Sequence, residues 1–160
     1  MSGVAIRPAT PGDAAVLGAI LSDWIDATPW MPRLHTRDED RRFVAGMIGA
    51  GRVHLAETAG PVGFVALSAA GQDADGGQGA AIREIDALYV AAGARGRGIG
   101  RALVAVAQDG AGRVELWTFR ANTCARGFYA GLGFAEIGRT DGEANAERLP
   151  DLRLAWERAA

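Results

Sequence analysis

Arg95, Arg97 and Arg101 are interleaved with Gly96, Gly98, Ile99 and Gly100, between an apolar run and the start of a helical pattern. Glycine lets a ligand approach the backbone closely and readily visits positive φ. A helix start adds N–H groups with no partner inside the helix and about half a positive charge, so the place favours an anion. The three guanidiniums suit the charge-assisted bonds of a pyrophosphate. Two known phosphate motifs fit badly. A P-loop requires a lysine, and all 17 basic residues here are arginine. A dinucleotide fingerprint requires glycine at 101 or 103, where Arg101 and Leu103 stand.

Other residues could move protons. Glu84, Asp86 and Leu88 alternate along one strand face, so either carboxylate is placed to relay a proton or simply to meet solvent, while Arg83 faces the other way. Asn122 and Tyr129 are seven residues apart, about two helical turns, and so share a helix side. Asn122 also reads as an N-cap, and Tyr129 as an aromatic packed beside Phe128. His35, in the loop from Trp30 to Arg37, titrates near neutrality and reads as a base, a substrate ligand or neither. Trp30 reads as a pocket wall or an anchor to the core.

Composition narrows the class. The 160 residues are 49% hydrophobic and 22% charged, which suits one domain over 1–160. A net charge of −2 argues against a nucleic-acid surface. No apolar run has the roughly 18 residues of a membrane span, and the start lacks signal-peptide features, so a soluble cytoplasmic protein is expected, with no membrane partner. One cysteine and two distant histidines predict neither an internal disulfide nor a metal site.

These groups need elements to hold them. VAIRP (4 to 8) reads as a strand, and Val16, Leu17, Ile20, Leu21, Trp24 and Ile25 as the apolar stripe of a helix. Residues 38 to 48 read as a second helix through Phe43, Met47 and Ile48, with RDEDRR (37 to 42) as its solvated face. Strands follow at 52 to 57, 62 to 69 and 81 to 90, with a flexible connection at 71 to 79. A helix at 99 to 109, a strand at 114 to 119, a helix at 122 to 132 and a strand at 134 to 139 complete the series. The alternating LRLAWE (152 to 157) is expected to close the sheet.

In this order and with these motifs, the chain resembles the GCN5-related N-acetyltransferase (GNAT) superfamily. Arg95, Gly98 and Gly100 match its loop pattern Gln/Arg-x-x-Gly-x-Gly/Ala, and WTFRANTCARGFYAGLGF (117 to 134) resembles its later strand and helix. The resemblance spans nearly the whole chain. It implies an α/β fold with a mixed, mostly antiparallel sheet of six to seven strands flanked by about four helices. It also implies acetyl-CoA as co-substrate, its pantetheine arm paired with Leu88, Tyr89 and Val90 and reached by Asn122, its pyrophosphate held by residues 95 to 101.

By the same resemblance Tyr129 is the general acid beside the leaving sulfur. Glu84 stands at the offset of the general base of the histone-acetyltransferase branch, with Asp86, His35 or water as alternatives. The 30–37 loop would line the acceptor side, with Trp30, His35 and Asp86, while the 141–151 loop reads equally as a cover over the acceptor or as a plain acidic surface loop. The implied reaction is direct attack of a primary amine within a ternary complex, Cys124 being placed where the family has no nucleophile. A single domain without a peptide-docking extension favours a small-molecule amine. A protein amine, or a non-catalytic acyl-CoA sensor, are the alternatives. The final strands permit a homodimer.

Overall fold

The computed structural model describes residues 3–72 and 81–159. The connection predicted at 71–79 lies mostly outside them. The strands are β1 (Ala5–Pro8), β2 (Val53–Glu57), β3 (Pro61–Gln72), β4 (Ala81–Val90), β5 (Ala111–Phe119), β6 (Ala135–Thr140) and β7 (Asp151–Glu157). The helices are α1 (Ala14–Ala27), α2 (Arg37–Gly49), α3 (Ile99–Gln108) and α4 (Thr123–Gly131), with short 3-10 turns at Pro11–Asp13 and Ala92–Ala94.

The seven strands form one sheet in the order β1-β2-β3-β4-β5-β7-β6. β1–β2, β2–β3, β5–β7 and β6–β7 pair antiparallel, and β4–β5 pairs in parallel from Ala81–Ala111 to Ile85–Leu116. The alternating final run joins the sheet as an interior strand. β7 lies between β5 and β6 and is bonded on both sides, so β6 is the edge strand. Among the described residues, no helix is long and apolar enough to cross a membrane.

The chain divides into two compact units. The first comprises Met1–Leu67 and Ala87–Val106. Its core gathers Leu17, Ile20 and Leu21 of α1, Val44, Met47 and Ile48 of α2, and Leu55, Phe64 and Ala66 of the strands. A Cβ on Gly18 would come 2.7 Å from the Arg41 Cα, so glycine is what lets α1 and α2 approach here.

Two sequence expectations change in α2. Phe43 points to solvent, because the buried stripe runs through Asp40, Val44, Met47 and Ile48. Asp40 therefore leaves the predicted solvated face and is only 4% exposed. Its carboxylate is satisfied inside, accepting from Ser22 Oγ at 2.6 Å and Arg33 Nη1 at 3.0 Å. The rest of the run behaves as expected, with Thr36 and Glu39 forming a capping box and Asp38 pairing with Arg41 and Arg42. Val16 is likewise turned outward on α1.

The second unit comprises Ser68–Asp86 and Ala107–Ala160. Alternation on β5 and β7 sends Val114, Leu116, Thr118, Leu152 and Leu154 into the core. The other face carries Arg113, Glu115, Trp117, Arg153 and Glu157, residues brought together by the register Arg113–Glu157 and Trp117–Arg153.

Candidate active site

In the first unit, β4 ends at Val90, and the Ala92–Ala94 turn leads into the glycine-arginine loop. Gly96 and Gly98 have φ of +78° and +80°, and a Cβ built on either would meet nothing within 4 Å. The protein leaves that space open, so glycine is needed there for its backbone conformation. The Gly98 carbonyl accepts from Ala102 N at 3.0 Å, which makes Gly98 the residue from which α3 departs. The Ile99 side chain is buried, so only its backbone, with that of Gly100 and Arg101, faces the helix start.

Arg95, Arg97 and Arg101 are exposed, and Arg95 Nε donates to the Val90 carbonyl at 3.2 Å, tying the loop to the strand end. Leu88, Tyr89 and Val90 are half-buried. This open, glycine-lined, cation-rimmed helix start fits a diphosphate group.

Trp30 and Tyr89 meet in an aromatic cluster of the same unit. Trp24 packs against Trp30 at 5.9 Å and against Tyr89 at 5.3 Å, and Tyr89 against Phe64 at 5.8 Å. Trp30 is thus an anchor of its loop. His35 does not join them. Its side chain is 63% exposed, and its Nδ1 lies 3.9 Å from a Glu39 carboxylate oxygen.

In the second unit, Asn122 caps α4, its side-chain oxygen accepting from Ala125 N at 3.1 Å. Tyr129, 6% exposed, lies edge-on to Phe128 and Phe134 at 5.0 and 5.2 Å. Its ring is held by packing from both neighbours. Cys124 is exposed.

Glu84 stands directly opposite Glu115 in the parallel pair, and Arg153 serves both. Arg153 Nη2 donates to Glu84 at 2.8 Å, and Arg153 Nε to Glu115 at 3.1 Å. Burial disfavours the charge on Glu115, but the Arg113 and Arg153 guanidiniums outweigh it and hold that carboxyl below its usual range. Arg153 also lies 5.2 Å from the ring centre of Trp117, which is 48% exposed. Asp86, two residues along from Glu84, is exposed. Arg83 donates instead to the carbonyls of Ala107 and Asp109.

Beyond this row, a cleft of about 390 Å³ is lined by Trp117, Phe119, Thr140, Asn145, Glu147 and Asp151 among others. One Glu147 oxygen is buried without a hydrogen-bond partner. Apolar walls with two carboxylates suit an ammonium on an aliphatic stem. The 141–150 segment beside it is built rather than loose. Asn145 bonds Leu149 in both directions, at 2.7 and 3.2 Å, and reaches Asp151 at 3.3 Å.

Residues 49–136 match the model of the acetyltransferase (GNAT) domain. The chain belongs to the GNAT acetyltransferase family. This N-acetyltransferase is 28% identical over 155 residues to the peptidyl-lysine N-acetyltransferase YjaB of Escherichia coli (strain K12), covering 96% of the chain and 97% of that protein. The solution structure of apo YjaB superposes with a TM-score of 0.74 at 29% identity, over 98% of this chain and 99% of that one. Naa50 of Arabidopsis thaliana, solved with a bisubstrate analogue CoA-Ac-MVNAL, shares the fold with a TM-score of 0.71 at 21% identity, over 97% and 99%.

Sequence reasoning on this acetyltransferase did not single out Arg153, Glu115 or Trp117. The signal was present as alternation, since LRLAWE sets Arg153 opposite in face to Leu152 and Leu154, as VELWTF does Glu115 and Trp117 to Leu116. The cleft residues Glu147 and Asp151 lay in a segment that read equally well as an acidic surface loop.

Proposed function

We propose that this acetyltransferase transfers an acetyl group from acetyl-CoA to lysine side chains of proteins. The observation that carries this reading is the full-length likeness to a peptidyl-lysine N-acetyltransferase, at 28% identity over 96% of the chain. That likeness removes the argument for a small-molecule acceptor, which rested on the lack of a peptide-docking extension. The chain covers 97% of that matched enzyme. The cleft beside Trp117, Glu147 and Asp151 supports the same substrate, an aliphatic stem ending in a cation.

The residues present fit the co-substrate. Backbone N–H groups and arginines of 95–101 would hold its pyrophosphate, and the strand end at Leu88–Val90 its pantetheine arm. Bound acetyl-CoA supplies an acetyl thioester. Glu84 takes the proton that the lysine ammonium must lose before its nitrogen can attack. A backbone N–H of the Leu88–Val90 stretch steadies charge growing on the carbonyl oxygen. The Tyr129 hydroxyl donates to the departing sulfur. Ordinary values near 10 for a phenol and 8.5 for a thiol make full proton transfer uphill in water, so a hydrogen bond is the form this help takes.

Mass spectrometry of the purified enzyme with acetyl-CoA, against lysine peptides and a panel of small amines, tests the reading. Acetyl-lysine peptide that vanishes with Tyr129→Phe, while acetyl-CoA still binds, is the expected result. Product confined to small amines overturns the protein substrate. Binding without any product favours a sensor.

A further inference from the structure

We infer that Arg153 is a positioning residue for Glu84, holding the base in place for proton abstraction; this rests on the proposed role of Glu84. Glu84 and Glu115 are direct partners on adjacent parallel strands, an arrangement in which two carboxylates repel. Arg153 enters from β7, where its strand partner is Trp117, and bonds both carboxylates, at 2.8 Å to Glu84 and at 3.0 and 3.1 Å to Glu115. Glu115 is fixed independently by Arg113 Nε at 2.6 Å. The row is therefore anchored at its far end, and Glu84 is its outermost member, fastened by Arg153.

Two further features set Arg153 apart from a surface ion pair. Its side chain is 14% exposed and covered by the Trp117 ring, so the guanidinium is confined. Its Nη1 is buried with no hydrogen-bond partner. An unpaired buried donor costs stability. A planar fork that spends Nε on Glu115 and Nη2 on both carboxylates fixes the Glu84 carboxyl in direction as well as distance.

The test is a double-mutant cycle read in kcat and KM with a lysine peptide, beside melting temperature and acetyl-CoA affinity by calorimetry. Glu84→Gln should lower kcat roughly a hundredfold. Arg153→Met should lower kcat about tenfold or more, with acetyl-CoA affinity unchanged, and should cost little further in the Glu84→Gln background. Arg153→Lys, which keeps the charge and loses the fork, should recover part of kcat, and it is the variant to read if Arg153→Met does not fold. Wild-type kcat in the folded Arg153 variants, with Glu84→Gln impaired, overturns the positioning role alone. Full activity of Glu84→Gln overturns the base itself. Losses that multiply in the double variant assign Arg153 a separate task and also overturn the inference.

Discussion

The Asp13 carboxylate accepts from both terminal nitrogens of Arg7, at 2.9 and 3.1 Å, and from the backbone N–H of Thr10 at 2.8 Å. Arg7 reaches on to Glu57 at 3.0 Å, so one guanidinium joins β1, the turn before α1 and β2. The Arg7 bonds first, and Thr10 second, hold the Asp13 carboxyl at about 2, below its ordinary 3.8. A folded value below the unfolded one stabilises the fold above about pH 4 and loses that contribution as pH falls through about 2. Arg7 is partly open to solvent, so Asp13→Asn should cost about 1 to 2 kcal/mol at pH 7. Denaturant titrations of both proteins should converge between pH 4 and 2. A gap that stays constant with pH would assign the loss to packing.

Gly98 makes the second prediction. At φ +80° any side chain is strained, and the space around its would-be Cβ holds no protein atom. Gly98→Ala should therefore destabilise by only about 1 to 2 kcal/mol, the cost of left-handed backbone. Acetyl-CoA affinity should fall much further, by at least tenfold in calorimetry, if the new methyl occupies the place proposed for the pyrophosphate. Unchanged affinity would remove residues 95 to 101 from the binding site.

Asn122 separates two roles that sequence left open. As the cap of α4 it is worth about 1 kcal/mol, which Asn122→Ala should remove and Asn122→Ser should largely keep. A role toward pantetheine is read in the serine variant, whose shorter side chain caps the helix without carrying an amide. Asn122→Ser should melt near the wild type and bind acetyl-CoA several-fold more weakly. Equal affinity would leave Asn122 as a cap only.

What the sequence made legible was local. The glycine-arginine loop, the Asn122 cap and the two-residue alternation of β4 and β5 are each written within a few residues, so motif and period reach them. Partners far along the chain are not. Asp40 sits in a run of charges that any short window reads as solvated, and its partners Ser22, 18 residues away, and Arg33, seven away, show why it is buried. Arg153 and Glu84 are 69 residues apart, and their ion pair depends on β7 entering the sheet between β5 and β6. That insertion is a property of strand order, which the alternation of LRLAWE does not encode. Phe43 and Val44 are adjacent in one helix, and the apolar pattern favoured the larger where packing buries the smaller.

The 141–150 segment supplies the last prediction. Gly142 has φ +89°, and a Cβ there would fall on the Leu149 backbone, so the two ends of the segment are in contact. Asn145 then clamps Leu149 through both its side-chain atoms, at 2.7 and 3.2 Å. Thr140 donates to Asp151 across the base, which fixes one carboxylate of the cleft. Gly142→Ala cannot keep this arrangement, yet it touches neither the core strands nor the residues proposed for acetyl-CoA. Its effect should therefore fall on the acceptor. KM for a lysine peptide should rise several-fold, while kcat at saturation and acetyl-CoA affinity stay near wild type. Steady-state kinetics with the peptide varied at fixed acetyl-CoA would show it. A loss of kcat at unchanged KM would mean that the segment positions the chemistry and that the cleft beside Trp117 and Glu147 does not receive the amine.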